Sequence, residues 1–171
     1  MVPALRLNCV DCLSADTEFK YSALTLNTTD LVISGSSGDG VDSDPCSAIG
    51  VQVTVTNIGS VDSDEVVQCY IKQPNASTAP QVRLADFARV HIKAGQSTTV
   101  SLSFGPKEQA LVLDGASSGS GSSVYQPHMV VPAGAVEVHV GGGQPDFFEG
   151  AVMKTVTIQR TVNLTRSYTC A

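Results

Sequence analysis

Basic residues are scarce in this chain and tryptophan is missing altogether: ten Lys and Arg stand against sixteen Asp and Glu in 171 residues, a formal net charge of −6. Nucleic acids and anionic membranes are held by basic patches that displace counterions. The ten cations are scattered, so both partners are excluded. Apolar runs last only a few residues, far short of the roughly 20 that a bilayer-spanning helix needs. A sustained helical period is missing too; the stretch from Lys107 to Leu111 could supply one turn at most.

What is present suits a β-protein. Charged residues amount to only 15%, and Val, Thr, Ser and Gly fill much of the remainder. With 42% apolar residues, the chain can bury the core of one domain without metals or many disulfides. The start, MVPALRLNCVDCL, has one Arg but no sustained apolar stretch, so it does not read as a signal peptide. Three Asn-x-Ser/Thr sequons, at Asn27, Asn75 and Asn163, are candidate N-glycosylation acceptors and lean the reading towards secretion.

The five cysteines are Cys9, Cys12, Cys46, Cys69 and Cys170. Cys9 and Cys12 form a CxxC, but zinc needs two further ligands at matching spacing and thioredoxin-like chemistry needs a βαβ context. Neither is visible, so these are read as structural or unpaired thiols. Cys69 falls on an apolar strand face and is expected to act as a small buried hydrophobe.

Period-two alternation runs through most of the chain. Glu18 to Leu26 reads as a first strand, with a short continuation from Leu31 to Ile33. Val51, Val53 and Val55 alternate with Gln52, Thr54 and Thr56; Asn57 and Gly59, which tolerate positive φ, then reverse the chain. Val67, Cys69 and Ile71 share one face of the returning strand, with Val66 and Tyr70 on the other. LADFARVHIKAG leads into a hairpin at Gly95, followed by Val100, Leu102 and Phe104 pointing inward. Leu111 to Leu113, Met129 to Val131, Ala135 to Val140 and Val152 to Val162 complete about seven strands without convincing helix between them. The expected fold is all-β, an antiparallel two-sheet sandwich of the immunoglobulin or fibronectin type III kind, with an antiparallel barrel as the competing solution.

Domain bounds follow from composition. Residues 1–16 are expected to be a poorly ordered or truncated lead-in, 17–162 the sandwich, and 163–171 a tail. SGSSGDGVDSDPCS (34–47) and the Gly/Ser-rich stretch within 114–124 read as flexible insertions.

Three phrases in order, VTVTNIGSVDSDEVVQCYIKQP, LADFARVHIKAGQSTTVSLSF and VVPAGAVEVHVGG, preceded by TEFKYSAL, resemble the fibronectin type III-like domain at the C-terminus of glycoside hydrolase family 3 enzymes, the β-glucosidases and β-xylosidases. The resemblance covers Thr17 to about Gly143. It departs at His128 and Met129, where the family often has Trp, and at Ala94, where the family has Pro. The resemblance implies a non-catalytic accessory module in an extracellular, polysaccharide-degrading setting. Its partners would be the catalytic domains of a family 3 glycosidase, in cis or in trans, with polysaccharide itself as a further candidate. A catalytic barrel alone takes about 250 residues; none of the family's catalytic residues carries over to this chain, and no cofactor or metal is implied.

An activity of the chain's own would need carboxylates held across a sugar-sized cleft. The acids instead cluster as Asp39, Asp42 and Asp44, as Asp62, Asp64 and Glu65, and as Asp146 and Glu149, in segments that read as solvated turns or strand edges. The first two clusters lack the twelve-residue pattern of a calcium loop. His91, His128 and His139 are dispersed, the first and last reading as outward sheet residues, and no G-x-S-x-G elbow occurs. The alternative reading is a free-standing carbohydrate-binding or adhesion module, since pyranose faces stack on exposed rings. Tyr125, Phe147 and Phe148 are the candidate sugar or docking contacts; the Phe pair is expected rather to plug against the sandwich or a neighbouring domain.

Overall fold

The computed structural model describes residues 17–31, 48–113, 128–159 and 162–164. Tyr125, the 1–16 lead-in, both insertions, Cys9, Cys12, Cys46, Cys170 and the acids Asp39, Asp42 and Asp44 lie outside the described residues. Among those described, the strands are β1 (Phe19–Leu26), β2 (Asp30–Leu31), β3 (Ile49–Asn57), β4 (Ser63–Lys72), β5 (Arg83–Ile92), β6 (Ser97–Phe104), β7 (Leu111–Leu113), β8 (His128–Val131), β9 (Gly134–Gly141), β10 (Val152–Ile158) and β11 (Val162–Leu164). One short helix, α1 (Pro106–Gln109), interrupts them.

The strands form the expected sandwich. One sheet has the order β1-β3-β6 and the other β2-β10-β9-β4-β5, while β11-β8-β7 make a small third sheet. All pairings are antiparallel except β2 with β10. The strand count exceeds the expected seven because short edge pieces pair where alternation is too brief to read. The apparent last strand, Val152 to Val162, is divided: β10 pairs with β9 and β11 with β8.

The core is built by the alternation itself. Val51, Val53 and Val55 of β3 and Val100, Leu102 and Phe104 of β6 are buried together with Val67, Cys69 and Ile71 of β4 and Val136, Val138 and Val140 of β9. Each such side chain contributes roughly 1.5–3 kcal/mol by leaving water. On β1 the apolar positions switch from odd (Phe19, Tyr21) to even (Leu24, Leu26). Ala23, at φ +50°, supplies the bulge that turns Leu24 inward after Tyr21.

The β3–β4 turn differs from expectation. Among the described residues positive φ occurs only at Ala23, Gly95 and Gly134, not at Asn57 or Gly59. Asn57 is instead fully buried, and its side chain makes the turn: Oδ1 accepts from Gly59 N at 2.9 Å, and Nδ2 donates to Val61 O at 2.8 Å and Ile92 O at 3.0 Å. The side chain satisfies the backbone, so no left-handed residue is needed.

Elsewhere, polar side chains fasten the irregular segments. Arg83 donates to the carbonyls of Glu108 at 2.6 Å and Ala110 at 2.9 Å, and Gln73 donates to Gln109 O at 3.0 Å, so both ends of the β4–β5 connection hold α1. Where the free edges of the two sheets meet, Asp86 of β5 accepts from Ser103 N of β6 at 2.8 Å and from its own neighbour Phe87 N at 2.8 Å.

Candidate functional site

Outward-facing residues of β4, β5, β9 and β10 form one continuous surface. The register sets Leu84 beside Tyr70, Tyr70 beside His139 and His139 beside Met153, a row across four strands. Next to it, Phe87 stands opposite Gln68 and Arg89 opposite Val66. Leu84, Phe87, Val66 and Met153 are exposed, Phe87 the most at 62%. Apolar side chains on the outside of a sheet have the period-two signature of a second buried face, but here solvent covers them.

Polar groups frame this surface. At one margin Asp64 accepts from Arg89 Nε at 2.8 Å and lies 2.6 Å from His91 Nδ1. His91, then Arg89, hold the Asp64 carboxyl below its ordinary value. His139 Nε2 lies 3.3 Å from Glu137, and Lys72 bridges to Asp146 at 2.7 Å. Both expected outward histidines therefore face outward, but His139 is largely covered, with 16% of its side chain exposed.

A second polar arrangement closes one end of the sandwich. The Tyr21 hydroxyl donates to Glu65 Oε1 at 2.5 Å, and the Phe148 ring meets Tyr21 edge-on with centroids 5.8 Å apart. Burial raises the Glu65 carboxyl, against the lowering effect of the Tyr21 hydrogen bond. Burial, and after it the Glu65 hydrogen bond, raises the Tyr21 hydroxyl. Gly141, Gly142 and Gly150 surround Phe148, and a methyl group on Gly141 would stand 2.8 Å from its ring. Only glycine lets the ring close so tightly.

The reading of the acids as solvated holds for Asp62, Asp64, Asp146 and Glu149, which are exposed, and fails at Glu65. Glu65 is half-buried and hydrogen-bonded, Asp64 is ion-paired, and Asp62 accepts from Ala94 N at 2.9 Å. Alternation sends Asp64 outward and Glu65 inward, so these neighbours do not face each other as a carboxylate pair would. Among the described residues no three or more His, Cys, Asp or Glu side chains group closely enough to hold a metal ion.

The aromatic pair divides. Phe148 packs against the core, whereas Phe147 is 80% exposed. Phe87, passed over by sequence reasoning, is the other exposed Phe ring among the described residues; its alternation with Arg89 and His91 was the available signal. Asn75 is exposed in the β4–β5 connection, Asn27 follows β1, and Asn163 lies in β11.

Residues 65–144 match the family described as Fibronectin type III-like domain. The chain is 34% identical over 90 residues to a β-xylosidase of Formosa agariphila, covering 52% of this chain and 11% of that protein. It is 30% identical over 138 residues to a probable β-glucosidase L of Aspergillus fumigatus, covering 78% of this chain and 17% of that protein. Among solved structures, a β-glucosidase of Thermotoga neapolitana superposes with a TM-score of 0.59 at 23% identity, over 86% of this chain and 17% of that one. A β-D-glucoside glucohydrolase of Trichoderma reesei gives 0.58 at 25% identity, over 83% and 19%. The chain thus spans about a tenth to a fifth of the length of the proteins it is similar to.

Proposed function

From the premise that the chain carries a fibronectin type III-like domain similar to that of family 3 glycoside hydrolases, we propose that it is a non-catalytic accessory module of such an enzyme. It docks on the catalytic domains of a β-glucosidase or β-xylosidase, covers their apolar surface and stabilises them. The parent hydrolyses O-glycosyl bonds in polysaccharide breakdown, outside the cell, as a glycoprotein.

The observation that carries this reading is the set of exposed apolar side chains, Leu84, Val66, Phe87 and Met153, on the outer face of the larger sheet. A sandwich needs only its inner faces to fold, so apolar side chains on the outside stabilise nothing until something covers them. The test mixes the purified chain with family 3 catalytic domains from the same source. Co-sedimentation and a raised Tm of the catalytic domains are expected, and both should be lost in Phe87→Asp. Turnover of nitrophenyl glucoside or xyloside by the chain alone, surviving further purification, would overturn the reading.

A second reading has its own observation. Phe147, with four-fifths of its surface open, offers a flat platform for a sugar face. Retention of the chain by xylan or glucan, abolished in Phe147→Ala, would make it a carbohydrate-binding module.

A further inference from the structure

We propose that the Asn75 sequon carries a glycan on the folded protein and that Asn27 stays bare. This rests on the reading that the chain passes through a secretory pathway. The two asparagines are both exposed, so exposure alone does not separate them; their amides do.

Asn75 sits in a turn that forms by itself. Pro74 presets φ at the first corner, and Ala76 N donates back to Gln73 O at 3.0 Å; Ala79 N then donates to Ala76 O at 2.9 Å. Asn75 and the hydroxyl residue of its sequon, Ser77, are exposed. No hydrogen bond to a described residue engages the Asn75 amide, which lies near Gly134 of the β8–β9 turn. A side chain there would only reach ordinary contact with Asn75 Nδ2, at 3.5 Å. A first sugar on Nδ2 therefore displaces no hydrogen bond to a described residue.

Asn27 is committed. Its Oδ1 accepts from Gly50 N at 2.9 Å, its Nδ2 reaches Ala48 O at 3.4 Å, and its own N–H donates to Gly50 O at 3.0 Å. The amide also packs on Gly50, where a Cβ would stand in contact at 3.4 Å from both Cγ and Nδ2. A sugar on Nδ2 competes with the bridge that fastens the end of β1 to the start of β3. Glycosylation there opposes folding, so the folded, secreted population is depleted of it.

The experiment secretes the whole chain from a eukaryotic host behind a foreign leader. Site occupancy then does not depend on whether the natural protein is exported. Peptide mapping after enzymatic deglycosylation in heavy-oxygen water reads each asparagine directly. Conversion at Asn75 with none at Asn27 is expected, and Asn75→Gln and Ser77→Ala should each remove that glycan with the Tm unchanged. Conversion at Asn27 in folded chain, or an unmodified Asn75 in a chain that was secreted and folded, would overturn the inference.

Discussion

Tyr21 and Glu65 lie 44 positions apart in sequence, on different sheets, and share a hydrogen bond of 2.5 Å at the end of the sandwich. The bond ties β1 to β4 where no backbone pairing does. Removing the hydroxyl in Tyr21→Phe leaves a half-buried carboxylate without this donor, which costs about 1–3 kcal/mol. Urea unfolding should show a lower midpoint at unchanged slope. An unaltered midpoint would mean that water serves Glu65 equally well.

The same pair sets a pH dependence. Burial raises the Glu65 carboxyl above its ordinary 4.5 in the folded chain. The folded state then holds a proton that the unfolded state has released, so this group favours folding at low pH. That contribution is lost as pH rises through the window from the ordinary to the raised value. Asp64, held low by His91 and Arg89, acts with the opposite sign: its contribution is present above its ordinary 3.8 and lost as pH falls below it. Solvent exposure keeps that second effect small. Glu65→Gln preserves an acceptor for Tyr21 and abolishes the first slope. Relative to the variant, the wild type should weaken as pH rises, measured as unfolding free energies from about pH 4 to about pH 7.

Asn57→Ala is expected to be among the most damaging single changes. It strips partners from Gly59 N, Val61 O and Ile92 O at once, in a side chain that is fully buried. A loss on the order of 3 kcal/mol follows from unsatisfied buried groups, readable as a Tm drop of roughly 6–12 °C.

Gly141→Ala forces the new methyl into the Phe148 ring, 2.8 Å away, and towards Ala151 Cα, 3.2 Å away. Overpacking of this kind costs about 1–3 kcal/mol. If the ring is the obstacle, the double variant with Phe148→Ala should lose less than the two single losses added together. Additive losses would place the obstacle in the backbone.

Cys69 has no solvent exposure, and burial pushes its thiol up to about 12. The thiolate is the reactive form. In folded chain this residue should resist iodoacetamide at mildly alkaline pH and react once urea is added, as followed by peptide mass. Labelling of native protein would show that β4 opens locally.

Much of the sandwich could be read from the chain because the sheets obey one rule. Val51, Val53, Val55 and Val136, Val138, Val140 alternate cleanly, and the bulge at Ala23 shows as a change from odd to even apolar positions. Turn chemistry was harder: Asn57 and Gly59 look like residues chosen for their backbone freedom, but the Asn57 side chain does the work by reaching Ile92 O, 35 positions away. Glu65 was misread for a related reason. It stands among Asp and Ser in sequence, and only the packing of Tyr21 and Phe148 takes it out of water. Phe147 and Phe148 have identical chemistry and opposite fates, because strand alternation does not extend into the loop that holds them.

Asp86 sits on the outermost strand of the larger sheet, with one oxygen on Ser103 N of the other sheet and one on Phe87 N. A strand edge with free amide groups is a template on which any extended peptide can add itself, including another copy of the same chain. The Asp86 bracket occupies amides where the two edges meet and puts a carboxylate in the path of such growth. Blocked at this edge, the sandwich is left to meet a neighbour through the outer face of its larger sheet rather than by adding a strand here.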